Sequence, residues 1–156
     1  MKKCLIIYDS YHHGNTEKVA KAMAAASGAG LCRADEVKAA DLAQYELVGF
    51  GSGIAFGKHY DKLLEAAGRL ELSGKEVFVF STSGAGKDEQ NAELIGQLKS
   101  AGAAVAGSFA CKGFDTYGPF KLIGGIAKGH PDGGELEAAK RFIEGIAESG
   151  NTGEAR

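Results

Sequence analysis

Between the apolar run Cys4 to Tyr8 and a segment of helical periodicity lies Asp9-Ser10-Tyr11-His12-His13-Gly14-Asn15-Thr16, a loop with hydroxyls, two imidazoles, an amide and a glycine. That set suits an anion. Backbone N–H groups at a helix N-terminus converge on a phosphate, hydroxyl donors stand beside them, and the helix dipole favours the negative charge. Ser10, His12, His13, Gly14, Asn15 and Thr16 are therefore candidate phosphate ligands. The loop contains no Lys or Arg, which fits a phosphate held permanently better than one to be transferred. An ordinary strand-to-helix turn with an Asn or Thr cap would read the same way, so this loop alone leaves both open. As metal ligands His12 and His13 fail, because adjacent imidazoles rarely converge on one ion and no further ligand cluster is visible.

Two more stretches are rich in glycine and hydroxyls. Gly51-Ser52-Gly53-Ile54-Ala55-Phe56-Gly57-Lys58-His59-Tyr60 combines close backbone approach with an aromatic and a glycine peptide that can rotate at low steric cost. Ser81-Thr82-Ser83-Gly84-Ala85-Gly86 offers backbone N–H groups unobstructed by large side chains. The chain has 24 glycines in 156 residues, about twice the usual share of roughly 7%. Many of them sit in these loops, and more lie in the aromatic stretch that begins Gly113-Phe114-Asp115-Thr116-Tyr117.

The elements that must position these loops follow from hydrophobic periodicity. Cys4 to Tyr8 and Val77 to Phe80 are short continuous apolar runs, the signature of strands buried on both faces. Tyr45 to Gly51 and the small-residue run Ala103 to Cys111 read as further strands, and Leu31 to Val37, with Arg33 and Asp35, as a weaker strand at the sheet edge. Helical spacing predicts helices over Glu17 to Ala26, Tyr60 to Leu70 and Asp88 to Ala101, with a last one marked by Leu136, Ala139, Ile143 and Ile146. Strands alternating with helices imply right-handed crossovers and a doubly wound α/β domain, a five-stranded parallel sheet with helices on both faces. In such sheets ligands bind beyond the carboxyl ends of the strands, where all three loops fall. One domain over residues 1–150 is expected, and residues 151–156 read as a disordered tail.

In order along the chain, these three loops resemble those of the flavodoxin family, over residues 2 to 148 and at a length like that of the short flavodoxins. The strand order 2-1-3-4-5 is what that resemblance implies. The family's FMN phosphate loop ends in Gly-Asn-Thr, as Gly14-Asn15-Thr16 does here, and opens on a hydroxyl, as Ser10 does. Ser10 stands one residue further from the glycine than in the family, and His13 replaces a second hydroxyl. Phe56-Gly57 is similar to the family's aromatic–glycine pair, where the aromatic packs on the isoalloxazine and the glycine carbonyl turns toward flavin N5 once the ring takes one electron. The resemblance thus implies FMN contacts from Ser52, Gly53, Ile54, Ala55, Phe56, Gly57 and Lys58, and from Ser81, Thr82, Ser83 and Gly84 at the pyrimidine edge. The stacking tyrosine of many flavodoxins is missing from the third loop, and Tyr117 is the candidate substitute. Low-potential flavodoxins are acidic around the flavin, whereas Lys58 follows Gly57 here. A cation about 6 Å from the ring at an effective dielectric of about 20 contributes roughly 3 kcal/mol, on the order of 100 mV for one electron.

The expected function is FMN-based shuttling of single electrons between protein redox partners, a reductase and an acceptor, by a cytoplasmic monomer or weak homodimer. Ile54 to Tyr60 also resembles the loop of the menaquinone-dependent protoporphyrinogen oxidase family, so an FMN-dependent oxidoreductase of that or the quinone reductase kind is the alternative. A cofactor-free binding domain is the third. With 18 Lys plus Arg against 20 Asp plus Glu, the net charge of -2 lacks the basic excess that nucleic acid requires. No apolar run reaches 18 residues, which argues against a membrane span. Cys4, Cys32 and Cys111 have no CxxC or zinc spacing and are expected to be reduced and buried. Walker A and GxGxxG patterns are absent, and strand three offers no aspartate for a receiver domain.

Overall fold

The computed structural model describes residues 1–10, 14–114 and 126–154, apart from the side chains of 149–154. Among the described residues there are six strands: β1 (Cys4–Asp9), β2 (Gly30–Arg33), β3 (Leu47–Ala55), β4 (Lys58–His59), β5 (Glu76–Ser83) and β6 (Ala104–Lys112). Four α-helices accompany them: α1 (Asn15–Ser27), α2 (Asp61–Arg69), α3 (Ala92–Ser100) and α4 (Gly133–Glu154). The sheet runs β2-β1-β3-β5-β6, all parallel, and β4 pairs antiparallel with β3. This is the expected five-strand doubly wound order with one small strand added by a hairpin.

Alternation along the strands splits the core in two. Ile7, Phe50 and Val79 point to one face, where they meet Leu63 and Ala67 of α2 and Leu94 and Leu98 of α3. Ile6, Phe78 and Phe80 point to the other, against Val19 and Met23 of α1 and Ile143 of α4. Each such side chain contributes roughly 1.5–3 kcal/mol on burial. On the second face β3 presents glycines. A Cβ on Gly49 would lie 2.2 Å from Phe78 Cζ, and one on Gly51 2.1 Å from Phe80 Cζ. The two phenyl rings occupy the space that side chains of β3 would need.

Several boundaries depart from the sequence expectation, β5 among them, which was expected over Val77 to Phe80 and runs on through Ser83. The edge strand was expected over Leu31 to Val37, but β2 stops at Arg33. The N–H groups of Glu36 and Val37 turn back onto the Arg33 carbonyl, and the Arg69 guanidinium holds this turn through the carbonyls of Ala34 and Val37. β3 continues four residues past Gly51, with Ser52 and Gly53 paired to Ser81 and Thr82, so Ser52–Ala55 is strand rather than loop. The helix expected from Asp88 starts as a 3-10 turn over Asp88–Asn91. Among the described residues Cys4 and Cys111 are free and buried, whereas Cys32 on the edge strand is only half-buried. Burial pushes the thiols of Cys4 and Cys111 up to about 12, which keeps them protonated and unreactive. Among the described residues no helix is long and apolar enough to cross a membrane.

Candidate functional site

The carboxyl ends of β1, β3 and β5 carry the three loops singled out in the sequence. α1 begins directly after the first. Gly14 caps it in the left-handed region at φ 64, with Asn15 and Thr16 buried in the opening turn. Ser10 Oγ accepts from the Glu17 N–H at 3.2 Å, so this hydroxyl stands at the mouth of the helix. The first-turn N–H groups of a helix lack acceptors within it, and its dipole is positive there. Asn15 Nδ2 donates to the Phe114 carbonyl at 2.8 Å, which ties the start of α1 to the segment after β6. Thr16 Oγ1 lies 2.8 Å from Thr82 Oγ1, joining α1 to the end of β5. His12, His13 and Tyr117 lie outside the described residues.

The second loop is a hairpin. Ala55 pairs with Lys58 and Ile54 with His59, which leaves Phe56-Gly57 as a two-residue turn with φ of 55 and 79. Both central residues of such a turn need positive φ, a requirement Asn-Gly meets most cheaply. Here the first position holds a phenylalanine that is 87% exposed. A bulky residue on left-handed backbone costs roughly 1–2 kcal/mol. Strain of this kind marks functional positions. A Cβ on Gly57 would meet nothing within 4 Å, so conformation and not crowding calls for glycine there. Lys58 is exposed beside it.

At the base of the same hairpin the character reverses. Gly53 is covered by Tyr60, whose Oη would be 2.3 Å from an added Cβ. Ser52 is fully buried, with its Oγ 2.7 Å from His59 Nδ1. In the third loop Ser83 Oγ accepts from the Gly86 N–H and bonds Gln90 Oε1, which curls the chain over Gly84. Sequence reasoning missed His59, Asn91 and Asp9. His59 is buried, its Nε2 is 2.7 Å from Asn91 Oδ1, and burial lowers its pKa to about 4, the Asn91 bond acting weakly the other way. Asp9 is raised from its ordinary value by burial, against the opposing charges of Lys62 and Arg33. Reading Phe56-Gly57 as a two-residue turn would have made His59 a strand position opposite Ile54, and that was the available signal.

FMN would need anion-binding N–H groups, acceptors for ribityl hydroxyls and an apolar surface for its ring. The start of α1 supplies the first. For the second, Asp9 Oδ2, Asn15 Oδ1 and Ser81 Oγ are buried at this edge with no hydrogen-bond partner among the described residues, and such orphaned acceptors are costly unless something donates to them. Phe56 supplies the third. The residues present therefore fit the group. A separate trio, His130, Asp132 and Glu135, brings ligand atoms within 4.8 Å of one another, but it reads as the cap of α4. The Asp132 and Glu135 carboxylates accept each other's backbone N–H, and His130 Nδ1 bonds Glu135.

The sheet order, with three glycine- and hydroxyl-rich loops at its carboxyl edge, defines a flavodoxin-like α/β protein. Residues 5–113 match the flavodoxin domain, and the chain belongs to the flavodoxin family. An uncharacterized protein of Methanocaldococcus jannaschii is 42% identical over 146 residues, covering 92% of this chain and 97% of its own. Among solved structures, a flavodoxin, WrbA-like protein from Agrobacterium tumefaciens superposes with a TM-score of 0.70 at 17% identity, over 97% of this chain and 99% of the other. Oxidised flavodoxin 2 from Bacillus cereus does so with a TM-score of 0.66 at 20% identity, over 94% and 99%.

Proposed function

We propose that this protein binds FMN and shuttles single electrons between protein redox partners, a reductase and an acceptor, in the cytoplasm. One observation carries the reading most. A large aromatic is held exposed on left-handed backbone at the tip of a hairpin, at the sheet edge where a helix N-terminus and buried acceptors without a partner among the described residues also stand. When bound, FMN supplies the redox chemistry, and the protein holds it and sets its potential.

The protein's own residues divide that work. The opening turn of α1, with Gly14, Asn15 and Thr16 and the Ser10 hydroxyl at its mouth, takes the phosphate. Asn15 Oδ1 and Ser81 Oγ accept from hydroxyls of the ligand. Phe56 covers the ring and excludes water from one face. The Gly57 peptide is free to turn its carbonyl, since no Cβ restrains it. Ser52 and Thr82 act from within the frame, because their hydroxyls are already bonded to protein groups.

A second reading rests on Lys58. A cation at the hairpin tip eases charge accumulation on a fully reduced ring and so favours two-electron chemistry on an organic substrate, as in an FMN-dependent oxidoreductase. Reconstitution of flavin-free protein with FMN, followed by anaerobic reductive titration, tests both readings. Two resolved one-electron steps support the carrier. A single two-electron step with quinone turnover supports the enzyme. Protein that does not retain added FMN rejects both and leaves a cofactor-free binding domain.

A further inference from the structure

A buried chain of polar groups joins the hairpin to the loop after β5, and no ligand contact accounts for it. Its direction can be worked out bond by bond from β6. Asn91, fully buried, donates from Nδ2 to the Phe109 carbonyl at 3.1 Å and to Ser108 Oγ at 2.9 Å. Turning the amide over would set Oδ1 against the Phe109 carbonyl, acceptor against acceptor. Asn91 Oδ1 must therefore receive a donor, and at 2.7 Å that donor is His59 Nε2–H. A neutral imidazole carries one N–H, so Nδ1 keeps its lone pair and the Ser52 hydroxyl, 2.7 Å away, donates to it. Ser52 Oγ also lies 2.7 Å from the Gly53 carbonyl and accepts from the Tyr60 N–H at 3.1 Å. With a single hydrogen on that hydroxyl, the imidazole decides whether the Gly53 carbonyl receives it.

We propose that His59, as its Nε2–H tautomer, is a positioning residue that fixes the base of the Phe56–Gly57 hairpin to the loop after β5. Its two nitrogens face different elements. Nδ1 holds Ser52, four residues before Phe56 on the strand that leads into the turn. Nε2 holds Asn91, the last residue of the 3-10 turn that ends the Ser83–Lys87 loop. One ring thus sets the spacing of the two loops that would flank the flavin. The positioning claim stands on the protein alone, and only the ligand between the loops rests on the proposed function.

The primary test is long-range proton–nitrogen NMR of the flavin-free full chain. The expected result is a protonated Nε2 and an unprotonated Nδ1 on His59, and the Nδ1–H tautomer would overturn the proposal. Two near-isosteric variants then separate the arms. His59→Gln keeps a donor near the Nε2 position and His59→Asn keeps a polar atom near Nδ1. Amide exchange at Ala55 and Lys58, the pair that closes the turn, is expected to quicken roughly tenfold in His59→Gln and to be spared in His59→Asn, with the converse for Gly86. Equal exchange at both loops in both variants, with folding confirmed by circular dichroism, would also overturn it. FMN affinity is expected to fall roughly tenfold in either variant, since preorganisation of the pocket is lost. Unchanged affinity with the loops uncoupled would refute the role toward the ligand. If the natural protein binds no FMN, the proposed function fails, while tautomer and exchange still judge His59.

Discussion

The tip and the base of one hairpin obey opposite rules. At the tip, Phe56 is exposed on left-handed backbone and Lys58 points to solvent. At the base, Ser52 and His59 are buried and their hydrogen bonds go to the protein. The eight residues from Ser52 to His59 thus hold both an exposed, strained turn and a base satisfied from within. The lesson is that resemblance to a ligand loop does not make every residue in it a ligand contact. Ser52 belongs to the frame and Phe56 to what the frame presents.

If that division is right, substitutions at the base should cost stability and those at the tip should cost binding. The largest effect is expected from His59→Leu, which leaves Ser52 Oγ and Asn91 Oδ1 buried with one partner fewer each. Ser52 Oγ keeps the Gly53 carbonyl and the Tyr60 N–H, so Asn91 Oδ1 is the group left unsatisfied. With roughly 1–3 kcal/mol for it and about 1 kcal/mol for the lost Ser52 bond, a loss of about 3 kcal/mol should appear in urea unfolding at neutral pH. The natural protein should meanwhile lose stability in acid. His59 has a folded pKa lowered from 6.5 to about 4, so the unfolded chain takes up the proton first as pH falls. Stability from this group is complete above about 6.5 and declines through the window down to about 4, by roughly 3 kcal/mol at 1.36 kcal/mol per unit. Asp9, raised by burial, contributes with the opposite sign near its own range. In His59→Gln the loss over that window should shrink, and an unchanged acid limb would move its origin elsewhere.

Next in size is Gly51→Ala, whose methyl must displace the Phe80 ring. About 2 kcal/mol is expected from overpacking, read as a lowered thermal midpoint. Phe56→Ser should leave stability within about 0.5 kcal/mol and yet weaken FMN binding roughly tenfold, which fluorescence titration would register. Smallest in the fold, Lys58→Glu should lower the second reduction potential by tens of millivolts, since an exposed charge is screened. Spectroelectrochemistry showing no change would remove Lys58 from the account.

Much of the fold was legible because burial writes itself as composition. Cys4 to Tyr8 and Val77 to Phe80 are apolar throughout, as strands covered on both faces must be, and α1 shows its stripe through Val19, Ala20 and Met23. The extension of β3 was not legible. Gly51, Ser52 and Gly53 have poor strand propensity, and they pair only because Phe80 and Tyr60, distant or loop-borne in sequence, fill the room that side chains would take. The early end of β2 was hidden for a similar reason, since Arg69 completes that turn from another helix. In the site, Gly14 and Gly57 stood out because left-handed backbone favours glycine, and Phe56 because it stands before Gly57 as the aromatic of the flavodoxin pair does. His59 did not: a two-residue turn at Phe56-Gly57 would have set it on a strand opposite Ile54, but its partner Asn91 is distant in sequence.

The glycines of β3 carry one more consequence. Gly49 and Phe78 share one volume, as do Gly51 and Phe80, so each pair can drift only as a pair. A lineage that trims the ring at position 78 frees position 49 to acquire a side chain, and one that keeps the ring does not. In a set of related sequences these two columns should change together, and a large residue in both at once should be missing.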